Sequence, residues 1–410
     1  LLKFYNTWYR PDLMAFIVTG DIDVNFVENK IKEHFSKLPK KENSILRMEY
    51  EIPDHDDTYV SIGQDKEYPY SVVYIYNKFN NTENIQTKEA YRKSIILSLI
   101  VEMFNQRLVE LTSKINPPFI QAFSDYTPYF IVKNKSALTL GALTADTGIV
   151  NGLKALLQEY RRVYVHGFTN SELERSKRTI LNNYEIAYKE KDKTESSTLA
   201  SEYIRNFLYD EPIPGIEYEY NLVKNIIPDI NIKEVNSIVK NILQPNNRVI
   251  IINAPEKENI VIPDSLEVLN IVKNYDEIEP ASYSEEIFEN ELVKDLPGKG
   301  KIKKKKIDKK IGIIELKLSN NTRVILYPTS YKNDEILFSA VSLGGESLLP
   351  DSLSASAKFT DDIITECGIG KFSKIDLQKI LAGKSVNINS SISLYNESIT
   401  GSTSNKDIET

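Results

Sequence analysis

A chain of 410 residues with 41% hydrophobic residues has room for roughly two to four globular domains. Its net charge of −7 argues against a nucleic-acid protein, and no apolar run approaches the roughly 20 residues that a membrane helix needs. Cys367 is the only cysteine, which rules out an intrachain disulfide and a thiolate zinc site. Leu1 is not an initiator Met and no basic-then-apolar signal follows it, so the true N-terminus is expected to have been removed by processing or truncation.

In chain order, Tyr5, Trp8 and Tyr9 recur at helical spacing until Arg10-Pro11 stops the helix. Met14 to Thr19 is an apolar run of strand length, and Gly20-Asp21 then turns the chain. Asp21 or Asp23 caps a second helix with Phe26, Val27, Ile31 and Phe35 on its apolar face. Three such elements bury too little apolar surface to stand alone, so residues 1–42 read as the C-terminal end of a domain that lies against a larger sheet. Residues 43–57 read as a linker. Its Asp54-His55-Asp56-Asp57 has metal-ligating residue types, but adjacent residues of an extended chain point to opposite sides, which favours a solvated linker.

A second domain is expected over 58–255. Residues 71–76 are β-rich, and 87–111 predict a long helix with Ile96, Leu99, Ile100, Met103 and Phe104 on a broad apolar face. Pro117-Pro118 ends it, and strands follow at 119–126 and 136–144. A helix over 147–165 stops at Gly167, with His166 in its last turn, where the helix dipole favours a cation. Thr169 as N-cap and Glu172 at N3 make a capping box, while Phe168 and Leu173 form a hydrophobic staple. That helix is expected to run through Tyr184 and to continue or resume to Leu208, until Pro212 and Pro214 break it. Helices at 217–226 and 232–243, the second capped by Asp229 or Asn231, precede a strand at 248–253. Long helices beside adjacent β runs predict an α+β fold of repeated domains, each a mainly antiparallel sheet with helices packed on one face.

Residues 256–310 carry little periodic apolar signal and hold Pro263, Pro280 and Pro297, so they read as a linker. The lysine run at 299–306 lacks arginine or aromatic partners and lies near the acids of 285–291, which fits solvated chain better than a nucleic-acid patch. From 311 the pattern changes: a hairpin over 312–318 and 323–327, a third strand at 335–341, a helix at 352–367, a helix at 374–381 capped by Ser373, and a strand at 386–394. Residues 311–410 read as the front part of a third domain.

Phe4-Tyr5-Asn6-Thr7-Trp8-Tyr9-Arg10-Pro11-Asp12-Leu13-Met14, with Val18-Thr19-Gly20-Asp21-Ile22-Asp23 after it, resembles the segment that closes the first domain of the insulinase/pitrilysin family of zinc peptidases. The segment 166–177, HGFTNSELERSK, resembles that family's second domain, and 332–351 and 370–393 resemble the start of the third, in wording like the PqqL-type bacterial members. The resemblance implies metallohydrolase-like domains in a zinc-dependent endopeptidase that encloses peptides or unfolded polypeptides between bowl-shaped halves, in the periplasm or cell envelope. On this reading 1–42 ends the catalytic first domain, 256–310 joins the halves, and 311–410 is a motif-less copy of the first domain. The chain would supply chamber wall and hinge, with the remainder of the same protein as partner. The alternative is a non-catalytic scaffold or peptide-binding relative.

Hydrolysis by that family's route needs His-x-x-Glu-His on a helix, so that two imidazoles one turn apart reach one zinc ion while the Glu activates water. The sequence contains no such motif. Its three histidines, His34, His55 and His166, stand in separate local contexts and read as helix-end, linker and helix-end residues. The third-domain helix offers Asp361, Asp362 and Glu366 without an imidazole and reads as an exposed acidic face. Nucleophile-elbow, Walker and dinucleotide glycine patterns are absent as well. No catalytic residue, metal ligand or cofactor is therefore assigned within this chain, substrate-contacting residues stay unassigned, and zinc is expected in the parent protein alone.

Overall fold

Local signals set the first elements. Arg10-Pro11 ends α1 (Leu2–Trp8) in a short 3-10 turn (Pro11–Leu13), and α2 (Val24–Phe35) starts at Asp23, whose carboxylate accepts from the Phe26 amide at 2.9 Å. The computed structural model describes the chain apart from residues 40–44, 82–84, 259, 286–291 and 293–297. Within the described residues the chain divides into two compact units, Leu1–Tyr184 with Thr194–Ser284, and Glu185–Lys193 with Glu285–Thr410.

The first unit is built on a sheet of β1 (Tyr59–Asp65), β2 (Ser71–Asn80), β3 (Gln121–Thr127), β4 (Lys135–Thr144) and β5 (Arg248–Pro255), in the order β1-β5-β2-β4-β3. All its pairs are antiparallel except β1 with β5. Alternate residues of the strands, among them Val73, Ile75, Leu138, Leu140, Ile250 and Ile252, are fully or almost fully buried. They share one core with the apolar faces of α3 (Lys88–Thr112), α4 (Ile149–His166) and α8 (Ile232–Ile242). Thr87 caps α3 and Asn231, rather than Asp229, caps α8. The connecting helices are α5 (Asn170–Lys189), α6 (Ser196–Tyr209) and α7 (Ile216–Ile226). The α+β expectation holds.

Two expectations for this unit fail. Met14 to Thr19 lies outside any strand: a strand exists only through a partner's hydrogen bonds, and here Met14, Phe16 and Val18 stand exposed without a ladder among the described residues. The stretch read as featureless after Glu256 holds α9 (Ser265–Glu277), capped by Asp264 and anchored in the core through Val268, Ile271 and Val272.

The second unit contains two three-stranded sheets. In one, β6 (Ile302–Asp308), β7 (Ile313–Leu318) and β8 (Arg323–Leu326) lie in sequence order, and Asn321, at φ 70°, helps turn the expected hairpin. The lysine run is thus an edge strand instead of a loose linker. Lys303 to Lys306 are exposed, and charge on an edge discourages pairing with other chains. The acids of 286–291 and Pro297 lie outside the described residues. In the other sheet the order is β10 (Val386–Ile392), β11 (Asn396–Thr403), β9 (Ile336–Leu343), so β9 pairs with an unforeseen β11 and not with the hairpin. Helix α10 (Ser354–Cys367) lies over β10, and α11 (Lys374–Ile380) begins with a full Ser373–Asp376 capping box.

Candidate functional site

The three histidines are held in ordinary structural roles. His34 is exposed near the end of α2. The His55 ring stacks on Tyr59 at 3.9 Å with Nδ1 2.6 Å from the Asp57 carbonyl, and the His55 amide donates to Asn247. His166, in the last turn of α4, has Nε2 2.7 Å from the Pro280 carbonyl. Asp54 pairs with the buried Lys135, which holds its carboxyl below the usual range, and Lys135 also donates to Asn80 Oδ1 at 2.7 Å.

These residues do not fit a zinc ion. His55 Nε2 is a buried atom with no partner, the kind of atom a metal would satisfy, yet no group of three His, Cys, Asp or Glu stands close enough to hold a metal anywhere among the described residues. The acids of α10 also have separate tasks. Asp361 accepts from the Ile392 amide at 2.8 Å, which fastens the helix to the end of β10, and Glu366 pairs with Lys374 at 2.5 Å.

Sequence reasoning missed a buried ionic cluster. Arg107 of α3 is 2% exposed and donates through Nε and Nη2 to both Glu172 oxygens, at 2.6 and 2.9 Å, and through Nη1 to Glu159 at 3.0 Å. The rings of Phe168 and Tyr283 flank its guanidinium at 4.9 and 4.2 Å. Glu172 also accepts from the Thr169 amide at 2.7 Å as the expected capping box, so one carboxylate starts α5 and anchors α3. Desolvation works against the Arg107 charge, but its two carboxylate partners raise its pKa overall. Fully satisfied and closed to solvent, the cluster is a structural joint.

A cavity of about 190 Å³ opens where the end of β2, the first turns of α3, the end of β3 and residues 211–219 converge. Phe79, Tyr91, Tyr126 and Tyr129 supply aromatic wall, Pro212 and Pro214 apolar wall, and Glu211, Glu219 and Lys93 charge. The Tyr91 hydroxyl lies 3.1 Å from that of Tyr184 and 3.3 Å from Glu219 Oε1. Tyr129 has a left-handed backbone, φ 57°, and its ring stacks on Tyr209 at 4.1 Å. Asp210, next to Glu211, is left-handed too, at φ 59°. Burial raises the pKa of Glu219, aided by Glu202 and Glu211 and opposed by the Tyr91 hydroxyl and Arg205. Burial and then Glu211 push Tyr129 up to about 12.

Comparison with known proteins adds a frame. Residues 1–180 match the family described as Peptidase M16 inactive domain. The chain is 28% identical over 382 residues to a protein of Arabidopsis thaliana named zinc protease PQQL-like, which covers 93% of this chain and 37% of that one. It is 24% identical over 401 residues to the probable zinc protease PqqL of Escherichia coli K12, covering 97% and 42%. Among solved structures, that of the periplasmic protease PqqL from Escherichia coli superposes with a TM-score of 0.59 at 23% identity, over 100% of this chain and 45% of that one. The chain therefore spans less than half the length of these relatives.

Proposed function

We propose that this chain, a homologue of PqqL-like zinc proteases of the insulinase family, is a non-catalytic part of a zinc-dependent endopeptidase. It supplies wall and hinge to a chamber that encloses and cuts peptides or unfolded polypeptides, while the zinc is held by residues outside this chain. Residues 1–42 end the first domain and 43–57 link it to the second, 58–255. Residues 256–310, with α9 at their start, join the two halves, and 311–410 open a third domain that copies the first. The remainder of the same protein and the substrate are its partners, and its compartment is the periplasm or cell envelope, as in the solved periplasmic relative. No helix among the described residues is long and apolar enough to cross a membrane.

The observation that carries this reading is the match of residues 1–180 to a domain type described as inactive. The purified 410-residue chain is expected to leave an internally quenched fluorescent peptide uncut. Cleavage that a chelator abolishes would refute the reading. The same match also suits a non-catalytic scaffold or peptide-binding relative. Sequencing the gene upstream of Leu1 separates the two, since a His-x-x-Glu-His motif there belongs to a peptidase and its absence to a scaffold.

A further inference from the structure

The cavity beside Tyr91 contains an unusual imbalance. Glu219 is half-buried in the first turn of α7, and among the described residues no lysine or arginine nitrogen lies within 4.0 Å of its carboxylate; its hydrogen-bond partner is the neutral Tyr91 hydroxyl. Glu202 and Glu211 add negative potential. Arg205, the cation that acts on Glu219 from nearby, is engaged by Glu211 at 3.0 Å, and Lys93 lines the wall without pairing with Glu219. A carboxylate withdrawn from water without a counter-charge is costly unless a cation completes it.

The walls fit such a cation. Tyr91, Tyr126 and Tyr129 line the cavity, and tyrosine side chains attract an ammonium or guanidinium group and give apolar surface to an alkyl stem. Tyr129 in the lining and Asp210, next to the lining residue Glu211, adopt left-handed backbones that L side chains rarely take, so these segments are held in shape by their surroundings. At about 190 Å³ the space is smaller than the ~300–1,000 Å³ typical of cofactor and drug-sized sites, and it suits one long side chain.

We propose that this cavity is a cation subsite, which receives an alkylammonium or guanidinium head against Glu219 with its stem between the rings of Tyr91, Tyr126 and Tyr129. A lysine or arginine side chain of a polypeptide and a free alkylamine share this chemistry. The subsite does not depend on the peptidase reading, because it follows from the cavity alone.

Isothermal titration of the full chain at neutral pH with n-butylammonium, 1-butanol and pentanoate, which share a butyl stem, tests it. The ammonium is expected to bind at least about tenfold tighter than the isosteric alcohol, and pentanoate not to bind. In Glu219→Gln, n-butylammonium should fall to the level of 1-butanol. The tripeptide acetyl-Ala-Lys-Ala-amide distinguishes the sources: tighter binding than n-butylammonium assigns a peptide side chain, and equal binding a free amine, each supporting the subsite. Equal affinity for alcohol and ammonium, or undiminished ammonium binding in Glu219→Gln, would overturn the proposal. If that variant does not fold, the order of the three probes on the unaltered chain decides alone.

Discussion

Arg107 stands where local sequence says least. It lies on a helix that periodicity identifies, but its partners Glu159 and Glu172 are 52 and 65 residues away, and nothing within a helical turn announces them. Removing it strands two carboxylates in the core, so Arg107→Ala is expected to cost about 3–5 kcal/mol in urea unfolding, whereas a surface arginine would cost little. The histidines show the opposite case. Isolated imidazoles with no spaced carboxylate read as structural residues, and backbone carbonyls and a tyrosine ring are what surround His55 and His166.

Asp54 carries a pH consequence at the same scale. Its bond to Lys135 lowers its folded pKa below the unfolded value of about 3.9, so its stabilising effect is present above that pH and is lost as pH falls through the folded value. Asp54→Asn should therefore lower the urea midpoint at neutral pH, and the gap to the unaltered chain should narrow as the pH falls below the unfolded value. A gap that widens on acidification would contradict the assignment.

At the scale of elements, what was legible is what is local. A cap spans four residues, so the Thr169–Glu172 box and the Ser373 cap were readable and both formed, the second completed by Asp376 into an unforeseen box. Thr169→Ala is expected to cost about 1 kcal/mol in thermal unfolding. Gly167→Ala should cost more, because its φ of 72° disfavours a side chain and a Cβ there would stand 2.5 Å from Asn236, which bonds the Phe168 backbone. Strands were harder, since a strand is a property of a pair. Met14 to Thr19 has the composition of a strand and no partner among the described residues. The lysines of β6 have the wrong composition, yet they pair with β7. Helix α9 was missed because Val268, Ile271 and Val272 alone make its buried stripe. The cavity at Glu219 was likewise illegible, as its walls come from four separate stretches of chain.

For the molecule as a whole, the family was readable from long runs of residues near the start, middle and end of the chain, and the match to the inactive domain type over 1–180 agrees with it. The zinc chemistry of the relatives' names requires a clustered ligand set, and the described residues bring no such set together. The framework role proposed above for this chain accommodates both observations. Its most direct test is the metal content of the purified 410-residue chain after equilibration with zinc and exhaustive dialysis. Far less than one zinc per chain is expected, and a stoichiometric, tightly held zinc lost on mutation of His34, His55 or His166 would contradict the account.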